Sequence, residues 1–208
     1  MTSGSPLRRD AARNRQRILD EARRLVADVG LAASHDEIAR AAGVGVGTVY
    51  RRFPSKASLL DALFAEQVER VAARAEAARA EPDAWTALAG FLGEVLEMQA
   101  ADRGLRELLS GSPHAGDLAR TARERIAPVV ADLVARAQAD GRMRRDVAVG
   151  DVALVPLMAG AVLASGGAEP GRRVLALLLA GLSAEAVGTP LPGAPPDAAA
   201  VEAVLGGG

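Results

Sequence analysis

The 208-residue chain contains no cysteine. That removes disulfides, thiolate metal sites and cysteine nucleophiles together, and it fits a reducing compartment. Histidine is nearly as scarce, with only His35 and His114, far apart in sequence. No dense group of metal-ligating residues is visible, so no metal site is expected. No Ser/His/Asp spacing and no phosphate-cradling glycine loop stands out either; Val44, Gly45, Val46 and Gly47 form too short a run. An enzyme is therefore disfavoured, and no catalytic residues and no cofactor are assigned. Aromatic residues make up only 2% of the chain, while half of all residues are apolar, mainly Ala, Leu and Val. Such a core suits close helix packing better than sheets, which favour β-branched and aromatic side chains. There is no strand-like alternation and no internal repeat.

Long hydrophobic runs are also few. The longest uncharged stretch is Val152 to Ala168, at the short limit for crossing a bilayer and interrupted by Pro156, Gly160, Gly166 and Gly167. It reads as a buried helix, with no membrane partner. Residues 1–17 carry Arg8, Arg9, Arg13, Arg15 and Arg17 without the apolar stretch of a signal peptide, so a cytoplasmic location is expected. Net charge is −1, but it is unevenly spread: residues 1–60 carry +5 and residues 61–208 carry −6. A basic end on an acidic body suggests a polyanion partner for that end alone.

Residues 1–9 read as a loose tail. From Asp10 the chain turns helical, with Ile18, Leu19, Ala22, Leu25, Val26 and Val29 on one face. Gly30 stops this helix. Ser34, followed three residues later by Glu37, matches a capping box for a second helix to Ala42, in which Ile38, Ala41 and Ala42 are expected to point inward. Gly43 ends it, and Val46–Arg52 forms a very short third helix before Pro54. Ser55 can cap a fourth helix, from Lys56 to about Ala80, that bridges into the rest of the chain. After Glu81, Pro82 and Asp83, helical segments follow near 84–101, 103–110, 114–139, 148–165 and 171–187. Pro128 and Pro156 fall inside two of them, where kinks are expected. Residues 188–208 are rich in Pro, Gly and Ala and read as a flexible tail, with room for a short helix near 197–205.

The second and third helices, joined by a short glycine-containing turn, fit a helix-turn-helix. Ile38, Ala39 and Ala42 allow close packing of its first helix, and Gly43 allows the sharp turn. Thr48, Tyr50, Arg51 and Arg52 give the short, exposed helix polar groups for a DNA groove. The run from Asp36 through Thr48, Tyr50, Phe53, Pro54, Ser55 and Lys56, followed by Leu59 and Leu60, resembles the N-terminal signature of the TetR (tetracycline repressor) family of transcriptional regulators. The resemblance covers roughly residues 10–64. It implies that Thr48 and Tyr50 contact phosphates and nearby bases, that Arg51 and Arg52 face the groove or its wall, and that Lys56 binds phosphate. Ser34, Gly45, Val46 and Gly47 complete the expected DNA-binding set. Composition adds a clue of its own: Lys56 is the only lysine and Tyr50 the only tyrosine, six positions apart. Gly45 stands where the family commonly has Ser or Thr, and His35 where it tends to have an apolar residue. His35 is read here as a solvent-facing helix start. The arginines at 8, 9, 13, 15 and 17 read equally as a DNA-touching arm or a solvated flank.

The expected fold is therefore all-α. A three-helix helix-turn-helix DNA-binding domain spans residues 10–56, and a helical effector-binding and dimerisation domain spans 57–187. The resemblance implies a homodimer that binds double-stranded operator DNA and leaves it when a small-molecule effector binds. The segments 148–165 and 171–187 are the expected dimer helices. Trp85, Phe91, Met98, Leu105, Leu109 and Met158, with Leu108, His114 and Leu163 beside them, are candidates for a pocket, although such residues more often form core. An adaptor that no longer binds DNA, and an activator, stay open as alternatives.

Overall fold

The computed structural model describes residues 6–109, 116–186 and 188–205. Among these residues the chain forms ten α-helices: α1 (Pro6–Val29), α2 (His35–Ala42), α3 (Val46–Arg52), α4 (Lys56–Arg79), α5 (Ala84–Ala101), α6 (Arg103–Leu109), α7 (Gly116–Ala139), α8 (Val149–Gly166), α9 (Ala168–Leu182) and α10 (Ala198–Leu205), with a short 3-10 turn at Gly30–Ala32 after α1. The fold is all-α, and the described residues contain no strand, only an isolated antiparallel bridge between Met143 and Ser183. His114 lies outside the described residues.

Local chemistry sets most of these ends. Gly30 and Gly43 stop α1 and α2 with φ of 78° and 64°, a left-handed geometry that costs glycine little. The Ser34 hydroxyl accepts from the Glu37 N–H, and the Glu37 carboxylate accepts from the Ser34 N–H at 2.8 Å, so the capping box is complete. Ser55 and Ser58 make a second such pair at the start of α4.

Four expectations need correction. Helix α1 begins at Pro6, not Asp10: proline is favoured in a first turn, where its missing N–H costs nothing. Pro170 does the same for α9, which starts at Ala168 and ends at Leu182, short of residue 187. It ends because Ser183 is extended and the next residues pair with the loop after α7, through Arg144 N–H to Leu182 O at 3.1 Å and Ala184 N–H to Arg142 O at 3.0 Å. On α2 the buried positions are His35, Ile38, Ala39 and Ala42, a single helical stripe that leaves Ala41 exposed. Val29, at the end of α1, is likewise half exposed.

Two apolar clusters form the interior. One joins α1, α2, α3 and α4 up to Val68, and takes in Leu105 and Leu108 of α6 and Ala122 of α7. The other runs from Val71 of α4 through α5, α7, α8 and α9. Met98, Leu109 and Ile126 pack against both. Helix α4 thus belongs to both halves. Beyond α9, Arg144 donates to Thr189 O and Asp146 accepts from the Leu191 N–H at 3.0 Å, and α10 packs against α8.

Helix α6 fastens the two halves a second time. Arg103 donates to the Asp28 carbonyl at 2.7 Å, at the C-terminal end of α1. Glu107 accepts from the Leu31 N–H at 2.7 Å, in the turn that follows. Between them sits Gly104, where a Cβ would come within 2.5 Å of both Phe64 Cζ and Val26 Cγ1. Glycine is needed there for its lack of a side chain. Gly104→Ala is expected to cost about 1–3 kcal/mol through overpacking, read as a lower midpoint in denaturant unfolding with unchanged helix content.

Candidate nucleic-acid interface

Helix α3 buries one side and offers the other. Val49 is fully buried, and Phe53, the residue that caps its C-terminus, is buried too. Gly45, Val46, Gly47, Tyr50, Arg51 and Arg52 are exposed, and Thr48 is half-buried. The turn before it is fixed by the Val44 N–H bond to Ala39 O at 3.0 Å, and Arg17 donates to Ala42 O at 2.7 Å, satisfying a carbonyl at the end of α2. Gly45 is the N-cap and supplies no side-chain acceptor. A Cβ on Gly47 would meet nothing within 4 Å, so nothing inside the chain requires glycine at that position.

The expected site residues have different surroundings. Among the described residues, Arg51 makes one hydrogen bond, to the Thr48 hydroxyl at 3.3 Å. Arg52 turns back to α1 and donates to Ala11 O at 3.1 Å, so it braces the helix. Ser34 is exposed, but its hydroxyl is engaged with Glu37. Of the N-terminal arginines, Arg13 pairs with Asp10, Arg17 caps α2 and the Arg15 guanidinium lies 5.8 Å from the centre of the Phe53 ring. Arg17 and Arg15 thus reach other elements of the fold, whereas Arg13 and Asp10 are both exposed on α1.

Lys56 begins α4 beside this face. Its Nζ is shielded from solvent and makes no hydrogen bond among the described residues. Burial pushes its pKa below the ordinary lysine value, against the attraction of Glu37, which raises it. Glu37 in turn is held below the usual carboxylate range, chiefly by the Ser34 backbone N–H and hydroxyl. A shielded ammonium without a partner is costly. An oxyanion would supply the missing hydrogen bond and add to the counter-charge of Glu37. Arginine and lysine groups with exposed backbone at one short helix are what phosphate and base contacts require.

One residue at this face departs from the expected solvent-facing position. His35 is not solvent-facing: it is 7% exposed, stacks on the Tyr50 ring with centroids 4.7 Å apart, and contacts the Phe53 carbonyl at 3.0 Å. The signal available was its departure from an apolar position in the resemblance. The pocket candidates are dispersed. Phe91 and Leu105 are buried in different clusters, Met158 is 41% exposed, and Trp85, Met98 and Leu109 are partly buried. None of them lines either of two described cavities, one of about 310 Å³ by Met143, Arg144 and Ala186, the other of about 190 Å³ by Val26, Phe64 and Gln67. The body also buries a polar residue. Gln99 is fully buried; its amide nitrogen donates to Pro156 O at 3.4 Å and its carbonyl oxygen has no partner. A glutamine inside the apolar run of α5 was its only sequence signal.

Comparison with known proteins agrees with this geometry. Residues 18–63 match the family model described as bacterial regulatory proteins, tetR family. Residues 83–184 match the model described as transcriptional regulator SbtR-like, C-terminal domain. No curated protein matches. Among solved structures, a TetR transcription regulatory protein from Mycobacterium vanbaalenii shares 37% identity over 86% of this chain and 99% of its own, with a TM-score of 0.45. The TetR regulator SCO0520 from Streptomyces coelicolor shares 29% identity over 81% and 98%, with a TM-score of 0.53. The regulator FadR from Bacillus subtilis, in complex with stearoyl-CoA, shares 18% identity over 80% and 98%, with a TM-score of 0.61, a likeness of fold. With its helix-turn-helix and its helical body both matched, the chain belongs to the TetR family of DNA-binding transcriptional regulators.

Proposed function

We propose that the protein is a homodimeric repressor that holds operator DNA through α3 and Lys56 and is released by a small-molecule effector. It acts in the cytoplasm and catalyses no reaction. The observation that carries the DNA contact is the pairing of the exposed α3 face with the shielded, unpartnered Lys56 ammonium. In this reading Thr48, Tyr50 and Lys56 hold phosphates and nearby bases, Arg51 reads the groove, and Val46 and Gly47 bring backbone close to the duplex. Gly45 allows that approach, Ser34 keeps α2 in place, and Arg52 braces α3 against α1.

The dimer is supported by the outer face of α8 and α9. Helix α8 is long and apolar enough to cross a membrane, yet only 28% of its residues are buried within the chain. That differs from the buried core helix expected from sequence. Val152, Val155, Ala159, Gly160 and Leu163 face inward, while Met158 and Leu177 of α9 are 41% and 62% exposed. An apolar helix uncovered in one chain is accounted for by the same helix of a second copy, since exposed apolar patches mark association surfaces. For the effector, the supported place is the seam where Met98 and Leu109 are partly buried and where Gln99, next to Met98, offers an unpaired acceptor to a polar end. A ligand there would touch both clusters. It could release DNA only through different affinities for the bound and free states.

Three outcomes are expected. On a duplex carrying a site selected by the wild-type protein, Thr48→Ala with Tyr50→Ala abolishes measurable specific binding while the fold is kept; unchanged binding by the folded double variant sinks the DNA assignment. Gly47→Ala leaves thermal stability equal or raises it by up to about 0.5–1 kcal/mol, because the space is open, while operator affinity falls in anisotropy titrations. Met158→Glu with Leu177→Glu converts the dimer to a monomer in light scattering with helix content retained, and a dimer that persists places the interface elsewhere.

A further inference from the structure

The stack beneath Tyr50 has a consequence for how the site works. We infer that His35 is a positioning residue for operator recognition: it fixes the ring of Tyr50 before DNA arrives and ties it to the C-terminal end of α3. This rests on the reading of Tyr50 as a DNA contact.

The geometry supplies each step. Tyr50 is 49% exposed, and an exposed aromatic side chain would otherwise sample several rotamers. Its ring lies nearly parallel to that of His35, with an interplanar angle of 11°. One face of the tyrosine is therefore covered, and its hydroxyl has no partner among the described residues. His35 itself is held. It is buried at the first position of α2, and its Nε2 lies 3.0 Å from the Phe53 carbonyl. A carbonyl can only accept, so Nε2 carries the proton and donates. That carbonyl belongs to the C-cap of α3, whose ring is buried and flanked by Arg15. A single imidazole thus joins the start of α2, the recognition tyrosine and the end of α3.

An aliphatic residue in this place would fill the volume without the flat face or the donor. Imidazole supplies both. Ordering a contact side chain before binding lowers the cost of binding.

A double-mutant cycle tests this on the full-length protein, with a duplex carrying a site that the wild type selects from random-sequence DNA. His35→Val should weaken binding about three- to tenfold, the range set by aromatic pairing. In a Tyr50→Ala background the same change should cost under about twofold, since coupled residues are non-additive. His35→Phe, which keeps a ring, should recover part of the loss. His35→Gln, which keeps a donor but no ring, should not. Tyrosine labelled with carbon-13 gives one set of ring signals, because the chain has a single tyrosine. Those signals should lose their ring-current shift in the Val and Gln variants and retain it in the Phe variant. An equal loss in both backgrounds, or unmoved tyrosine signals, overturns the inference and leaves His35 a core residue. If Val fails to fold, the Phe and Gln pair decides it alone. Tyr50→Ala with undiminished binding would instead overturn the reading of Tyr50 itself.

Discussion

Helix α3 has only seven residues, and a helix that short is marginal in water on its own. Its usefulness therefore depends on the surface beneath it. Val49 and Phe53 bury its inner side. Gly43 sets the turn that delivers it, and Arg17 and Arg52 satisfy carbonyls of α2 and α1 around it. The exposed side can then be devoted to polar and small residues that would not hold a helix by themselves. Rigidity comes from the neighbours, and recognition from what the neighbours leave uncovered.

The same logic joins the two halves. Helix α4 starts at Lys56, shortly after the exposed helix α3, and continues into the cluster of the body. Helix α6 closes the other side, with Arg103 and Glu107 bonded to the end of α1 and the turn after it. Because Leu105 and Leu108 belong to the N-terminal cluster, a movement of α6 is felt by α1 directly. Two independent fastenings make the relative position of the halves a property of packed helices, and packed helices have discrete arrangements rather than continuous ones.

Much of this was legible in the sequence because helix ends are set locally. Ser34 with Glu37, Gly30, Gly43 and Ser55 act on their own few neighbours, so α2, α3 and the start of α4 could be placed closely. The end of α9 could not, because it depends on pairing with residues some forty positions earlier, near Arg142 and Arg144. His35, Arg17 and Arg52 were hidden for a related reason. His35 reads as solvated, Arg17 as part of an arm or flank and Arg52 as facing the groove, yet each finds a backbone carbonyl brought near only by the tertiary fold. The body was harder still. Leucine and methionine at helical spacing look alike whether they fill a core, line a cavity or face a second copy. Only the packing tells them apart: on α8, Val152, Val155, Ala159, Gly160 and Leu163 are buried while Met158 is 41% exposed.

The central claim is that α3 and Lys56 form a specific grip on duplex DNA, used twice by a symmetric pair. Selection of bound sequences from a random duplex pool, followed by salt titration on the winner, addresses it directly. The account predicts an enriched near-palindromic site with half-sites about one helical turn, roughly 34–36 Å, apart. It also predicts that affinity falls steeply with salt, less so for Lys56→Ala because one phosphate contact is gone. A pool that stays unenriched, or a Lys56→Ala protein with the wild-type affinity and salt slope, would contradict it.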